Sequence, residues 1–151
     1  MTAGFLDISQ VTHEFVAMMQ KSIDSSPFWQ NHPRFNITVT GNAAEIKNSN
    51  DGCLLIARLI SIKPIVTKDS NITTYLEELN YLVFTESGKN YVKEQKALSL
   101  GFQAIRDNPV LPIDQGPFRV VFSQISLDEL STIWQSISKP MKASFVCAIV
   151  R

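Results

Sequence analysis

The sequence is short of the residue types that build reactive or metal-binding sites. It has two histidines, His13 and His32, and two cysteines, Cys53 and Cys147, among 151 residues. Zinc sites use three or four close Cys, His or carboxylate ligands, typically spaced C-x-x-C or H-x-x-x-H, and neither spacing occurs. Nucleophilic catalysis needs a Ser or Cys on a strained turn with a His beside it, and no such motif is present. The sequence therefore predicts no enzyme, no catalytic residue, no metal and no cofactor.

A surplus of charge and a long apolar run are also missing. Fourteen basic residues balance fourteen acidic ones, whereas nucleic acid and anionic lipid attract proteins with an excess of Lys and Arg. No apolar run approaches the roughly 20 residues that span a bilayer, and residues 1–9 lack the features of a secretory signal. We expect a soluble protein, made and assembled in the cytoplasm, with neither a nucleic-acid partner nor a membrane-inserted segment.

The remaining chemical signals are weak. Both cysteines lie in apolar segments, which favours buried, reduced thiols over a disulfide. Ser87-Gly88-Lys89 resembles part of a phosphate-binding loop, but Val83 stands where that motif has its first glycine, so an ordinary strand-to-helix turn is expected. Trp134 suggests ligand stacking or, more simply, a place in the core.

Three helices follow from apolar residues at three- and four-residue spacing. The first runs from Asp7, as its N-cap, to Ser22, and the second from Lys89 to Asp107. The third begins at Ser126 with a capping box of the S-x-x-E type. The predicted buried stripe of the second helix is Tyr91, Leu98, Phe102 and Ile105, and that of the third is Leu127, Leu130, Trp134 and Ile137.

Five strands are predicted from β-branched and aromatic runs bounded by turn residues. They are Phe35–Thr40, Cys53–Ile62 ended by Pro64, Thr74–Thr85, Phe118–Phe122 and Ala143–Val150. The polar loop between Gly41 and Gly52 is expected to be an exposed hairpin or insertion. This order predicts an α+β fold over residues 1–151 as a single domain, with a mixed, largely antiparallel sheet of about five strands covered by three helices.

Two stretches of the sequence resemble a known protein family. The first starts at Tyr81 and ends, after a helix, in Asn108-Pro109-Val110-Leu111. The second has the pattern Leu-x-Glu-Leu-x-x-x-Trp followed by Pro-x-x-x-Ser, and its residues are Leu127, Leu130, Trp134, Pro140 and Ser144. In this order they resemble the cap, or tail terminator, of extracellular contractile injection systems of the Photorhabdus virulence cassette and antifeeding prophage kind.

The resemblance implies a tail-terminator-like fold and a structural role. Such a cap is a ring, sixfold by this resemblance, that sits on the last layer of inner tube and sheath and stops further growth. The implied partners are copies of the chain itself, sheath subunits and inner-tube subunits, in a particle that is either released or membrane-anchored. Many members carry a further C-terminal region beyond the position of Arg151, whose role is not expected of this stretch. A tail-completion or connector protein of a contractile-tailed phage and a small adaptor domain are the alternatives.

A ring needs two different patches on each subunit. We expect these among apolar residues that one core does not need and in the last strand, Ala143–Arg151. This strand either adds to the sheet edge of another chain or lies centrally in its own sheet. The candidate interface residues are Phe5, Leu6, Met18, Met19, Phe28, Trp29, Phe145, Ile149 and Arg151.

Overall fold

A mixed sheet of six strands forms the centre of the fold in this computed structural model, which describes residues 6–42, 52–69, 72–86, 90–114 and 116–151. The elements in chain order are α1 (Ile8–Asp24), a 3-10 turn (Pro27–Gln30), β1 (Ile37–Thr40), β2 (Cys53–Asp69), β3 (Ile72–Glu86), α2 (Tyr91–Asp107), β4 (Val110–Leu111), β5 (Phe118–Phe122), α3 (Leu127–Ser136) and β6 (Phe145–Val150). The strand order is β1-β2-β3-β6-β5-β4. β1 pairs with β2 in parallel, and every other pairing is antiparallel.

The predicted α+β fold with three helices is confirmed, with one strand more than expected. The additional strand is β4, which is only two residues long and pairs with Phe118 and Arg119 of β5. A two-residue strand cannot show the alternation by which strands are found in a sequence. The expected loop between Gly41 and Gly52 and the turn at residues 87–89 fall largely outside the described residues.

Local capping sets the starts of the helices, and two of the three predicted starts are confirmed. The Asp7 carboxylate accepts hydrogen bonds from the backbone N–H groups of Ser9 and Gln10, and the Ser126 hydroxyl accepts one from Glu129. α2 begins at Tyr91 instead of Lys89, because the Asn90 side chain is its cap. Each cap satisfies N–H groups that have no partner inside the helix.

The sheet is covered on both faces. Because strand side chains alternate, Leu55 faces α1 and α2, whereas its neighbours Leu54 and Ile56 face α3. The larger cluster includes Phe15 and Tyr81, whose rings lie 5.1 Å apart. On the other face α3 contributes Trp134 as expected, buried to 2% exposure. Helices therefore cover the middle of the sheet on both faces among the described residues.

The buried stripe predicted for α2 is confirmed at Ile105, with Leu98 half-buried against the core, and is wrong at Tyr91 and Phe102. Tyr91 is 70% exposed and Phe102 is 39% exposed, and the buried face consists of small residues with Leu100 and Ile105: Ala97, Leu100, Gly101, Ala104 and Ile105. A Cβ on Gly101 would lie 2.7 Å from Leu55 Cδ2, so the helix approaches the sheet too closely for a side chain there. Close packing against the sheet favours the helix face with small residues. The sequence pattern instead predicted burial of the large apolar residues.

The structure corrects one further prediction, at Leu127, and decides between the two alternatives for the last strand. Leu127 is 71% exposed although it lies two turns before Trp134 on the same side of α3, because the packed part of the helix begins at Leu130. The last strand, β6, is central, with β3 on one side and β5 on the other. Both of its edges are occupied within the chain, so β6 is not free to add to another sheet. In the described ranges, no helix combines the length and apolarity needed to cross a bilayer.

Candidate assembly surfaces

Both cysteine thiols are buried away from solvent. Cys53 on β2 and Cys147 on β6 are free and buried, as the sequence predicted. Burial raises the pKa of each thiol to about 12. A thiol with such a pKa is protonated at neutral pH and is a poor nucleophile and metal ligand. Neither cysteine therefore serves as a reactive group.

The histidines and acids do not converge either. His13 is exposed on α1, and His32 is stacked on Phe28 with ring centroids 3.9 Å apart. Within the part of the chain that the structure describes, no three His, Cys, Asp or Glu side chains lie close enough to share a metal ion. A groove of about 570 Å³ between α1 and β4 carries Glu14, Lys21 and Asp107 but no His or Cys. The described surface does, however, present sheet edges and aromatic side chains.

The most prominent feature of that surface is the far half of the β2–β3 hairpin. β1 pairs with β2 only as far as Ile56, and β6 pairs with β3 only as far as Glu78. β2 and β3 nevertheless stay paired out to Asp69 and Ile72. We call residues 64–69 and 72–77 the arm. It contains six residue pairs and is about 20 Å long at about 3.3 Å per residue, and neither of its edges pairs with another described strand.

Pro64 lies at the base of the arm and does not end β2, contrary to the sequence prediction. The Arg151 N–H donates to the Glu77 carbonyl oxygen at 3.1 Å, so the backbone groups of Glu77 point away from β2. Pro64 is opposite Glu77 in the register, and its nitrogen therefore also points outward. A proline at this position removes no hydrogen bond from the ladder, as is typical of prolines at sheet edges.

The outer edge of β1 is closed in a different way. The Gln20 side chain of α1 donates from Nε2 to the Ile37 carbonyl at 2.9 Å and accepts from the Val39 N–H at Oε1, 2.8 Å away. These two bonds are those that a residue of a neighbouring strand would make. The carboxamide thus occupies the place of a seventh strand and leaves no room for strand addition along β1.

A second surface surrounds the 3-10 turn after α1. Trp29 donates from its indole Nε1 to the Ile23 carbonyl at 2.7 Å, and the Arg34 guanidinium lies over its ring at 5.1 Å. Phe28 carries the stacked His32. We call Phe28, Trp29, His32 and Arg34 the aromatic patch. Aromatic and arginine side chains held in place by their own chain are the residue types enriched at the energetic centres of protein interfaces.

A third surface is an aromatic cluster where α2 crosses β5 and β6. The Phe102 ring stacks on Phe122 with centroids 4.3 Å apart and meets Phe145 edge-on at 5.5 Å. Phe102 remains 39% exposed. The cluster is partly open beside the polar side chains of Gln95 and Gln103.

Two solved structures resemble this arrangement. One is the sheath/tube terminator, in the extended state, of the extracellular contractile injection system PVC, with a TM-score of 0.63 and 16% identity over 97% of this chain and 56% of that chain. The other is the tube-terminating cap of the anti-feeding prophage, AFP, with a TM-score of 0.51 and 13% identity over 97% of this chain and 54% of that chain.

The chain has the tail-terminator fold. It spans little more than half the length of the two terminator chains. No protein-family model matches the sequence, and no curated protein matches it. At 16% and 13% identity the likeness concerns the backbone arrangement, and it agrees with the fold expected from the sequence.

The residues that carried the family resemblance occupy three kinds of place in this terminator fold. Tyr81, Leu111 and Trp134 are buried, and Leu130 packs beside Trp134. Ser144 accepts a hydrogen bond from Trp134 Nε1 at 3.0 Å. The Asn108 side chain donates to the Ala104 carbonyl at 2.8 Å and ends α2, whereas Pro109, Leu127 and Pro140 are exposed. Most residues of the motif therefore lie in the core or in turns.

The predicted interface residues are divided between core and surface. Met19 and Ile149 are 0% exposed and have no surface to offer to another chain. Leu6, Met18, Phe28, Trp29 and Phe145 are half-buried against the main core, and Phe5 lies outside the described residues. Arg151 is half-buried, with its Nη1 3.8 Å from Glu77 Oε2, and it holds the end of β6 against β3 at the base of the arm.

The sequence analysis missed the arm and the Gln20 closure. Pro64 hides the arm in the sequence, because a proline inside an apolar run predicts the end of the strand. A signal was available: residues 61–69 and 72–80 both have strand-like composition and are separated by only two residues. No local pattern identifies Gln20, because its role depends on the position of β1 in the folded chain.

Proposed function

We propose that this chain is a structural, non-enzymatic subunit of a ring that caps the inner tube and sheath of a contractile, phage-tail-like injection system. The observation that carries the proposal is the fold likeness to a sheath/tube terminator, which extends over 97% of this chain. A terminator works by fitting the end of a polymer. The proposed partners are therefore further copies of the chain, six to a ring, together with sheath and inner-tube subunits.

The chemistry of the described residues supports a role in contact. The buried thiols have raised pKa values, the histidines lie apart, and the polar groups that are buried mostly serve the fold. Tyr81, for example, shares a 2.6 Å hydrogen bond with Thr12. The partner-like features are edges and half-buried aromatic groups, which bind by shape and hydrogen bonding.

Charge agrees with the same role. The sequence has a formal net charge of zero, so long-range attraction to a polyanion is not what brings the chain to its place. A subunit that adds to a preformed polymer end relies on close fit at short range. We infer that assembly takes place in the cytoplasm, where tube and sheath subunits are made, before the particle is released or anchored.

Labelling of intact particles tests the proposal. An epitope tag on this chain, detected with gold-conjugated antibody in electron micrographs, is expected at one end of each particle. The same tag on an inner-tube or sheath subunit is the control and is expected along the length of the particle. Label distributed along the particle, or missing from purified particles, would contradict the proposed function.

A further inference from the structure

We draw no further inference here: the strongest candidate, the pair of edges on the arm of the β2–β3 hairpin, carries nothing because nothing in the structure shows what covers them.

Discussion

At the scale of single residues, Gln20 is the clearest case of one side chain deciding how a surface behaves. Its carboxamide reproduces the donor and acceptor of a strand residue and satisfies the backbone of Ile37 and Val39 at a sheet edge. Natural sheets protect their edges because free edges recruit other chains. Here the protection comes from the neighbouring helix.

Replacing Gln20 leaves two backbone groups without partners. Unsatisfied buried groups cost about 1–3 kcal/mol each, and Ile37 and Val39 are only 5% and 6% exposed. We expect Gln20→Ala to lower the free energy of unfolding by about 2 kcal/mol, measured by urea denaturation. Gln10→Ala, at an exposed position of the same helix, is the control. Equal stabilities of the two variants would show that the hydrogen bonds of Gln20 to β1 do not contribute to the free energy of unfolding.

The buried thiols predict a dependence of stability on alkaline pH. The pKa of Cys147 rises from 9.0 to about 12 on folding, and Cys53 behaves alike. Between these values the unfolded thiols lose protons that the folded thiols keep, so the free energy of unfolding falls as pH rises from 9 to 12. Burial shifts the pKa of Tyr81 in the same direction.

The measurement is urea denaturation at several pH values for the wild type and Cys147→Ala. The variant is less stable throughout, but its decline between pH 9 and 12 is expected to be shallower because one titrating thiol is gone. The remaining slope belongs to Cys53 and Tyr81. Parallel curves for the two proteins would rule out the burial of Cys147 as a source of the pH dependence.

At the scale of helices and strands, the sequence predicted which elements form better than it predicted which of their faces is buried. The starts of α1 and α3 could be predicted because caps are local: Asp7 and Ser126 bond to N–H groups two or three residues away. The buried face of α2 could not. Periodicity favoured the stripe with Tyr91 and Phe102, whereas contact with the sheet selected Gly101 and its small neighbours.

Candidate sites were predicted less well than the fold, for the same reason. Trp29 and Phe28 are partly exposed, but Met19 and Ile149 are buried in the core. An apolar residue looks alike in a sequence whether it packs inside or binds outside. Pro64 had the opposite effect: it concealed the arm, because its position at an edge depends on a register that only the folded sheet defines.

Two residues of α3 with different exposure predict contrasting effects. Trp134 is 2% exposed, contacts the Phe84 ring at 5.0 Å and donates to Ser144, so Trp134→Ala is expected to cost about 3–5 kcal/mol of unfolding free energy. Leu127 is 71% exposed, so Leu127→Ala is expected to cost less than about 0.5 kcal/mol. Thermal or urea denaturation of the two variants checks this. A large loss for Leu127→Ala would contradict the exposed position of this side chain.

At the scale of the whole molecule, the fold separates a closed body from an open extension. Helices cover both faces of the sheet, Gln20 closes β1, and β6 is held between two strands. The arm and the aromatic patch remain as places for other chains. A body with a closed β1 edge and a central β6, together with these exposed surfaces, suits the proposed ring subunit.

Particle length in a strain that lacks this gene tests the cap function most directly. Lengths of tubes and sheaths are measured in electron micrographs of the deletion strain, the parent, and the deletion strain complemented with the gene. We predict tubes and sheaths of uncontrolled length, or none that remain stable, with the parental distribution restored on complementation. Stable particles of normal length in the deletion strain would contradict the cap function.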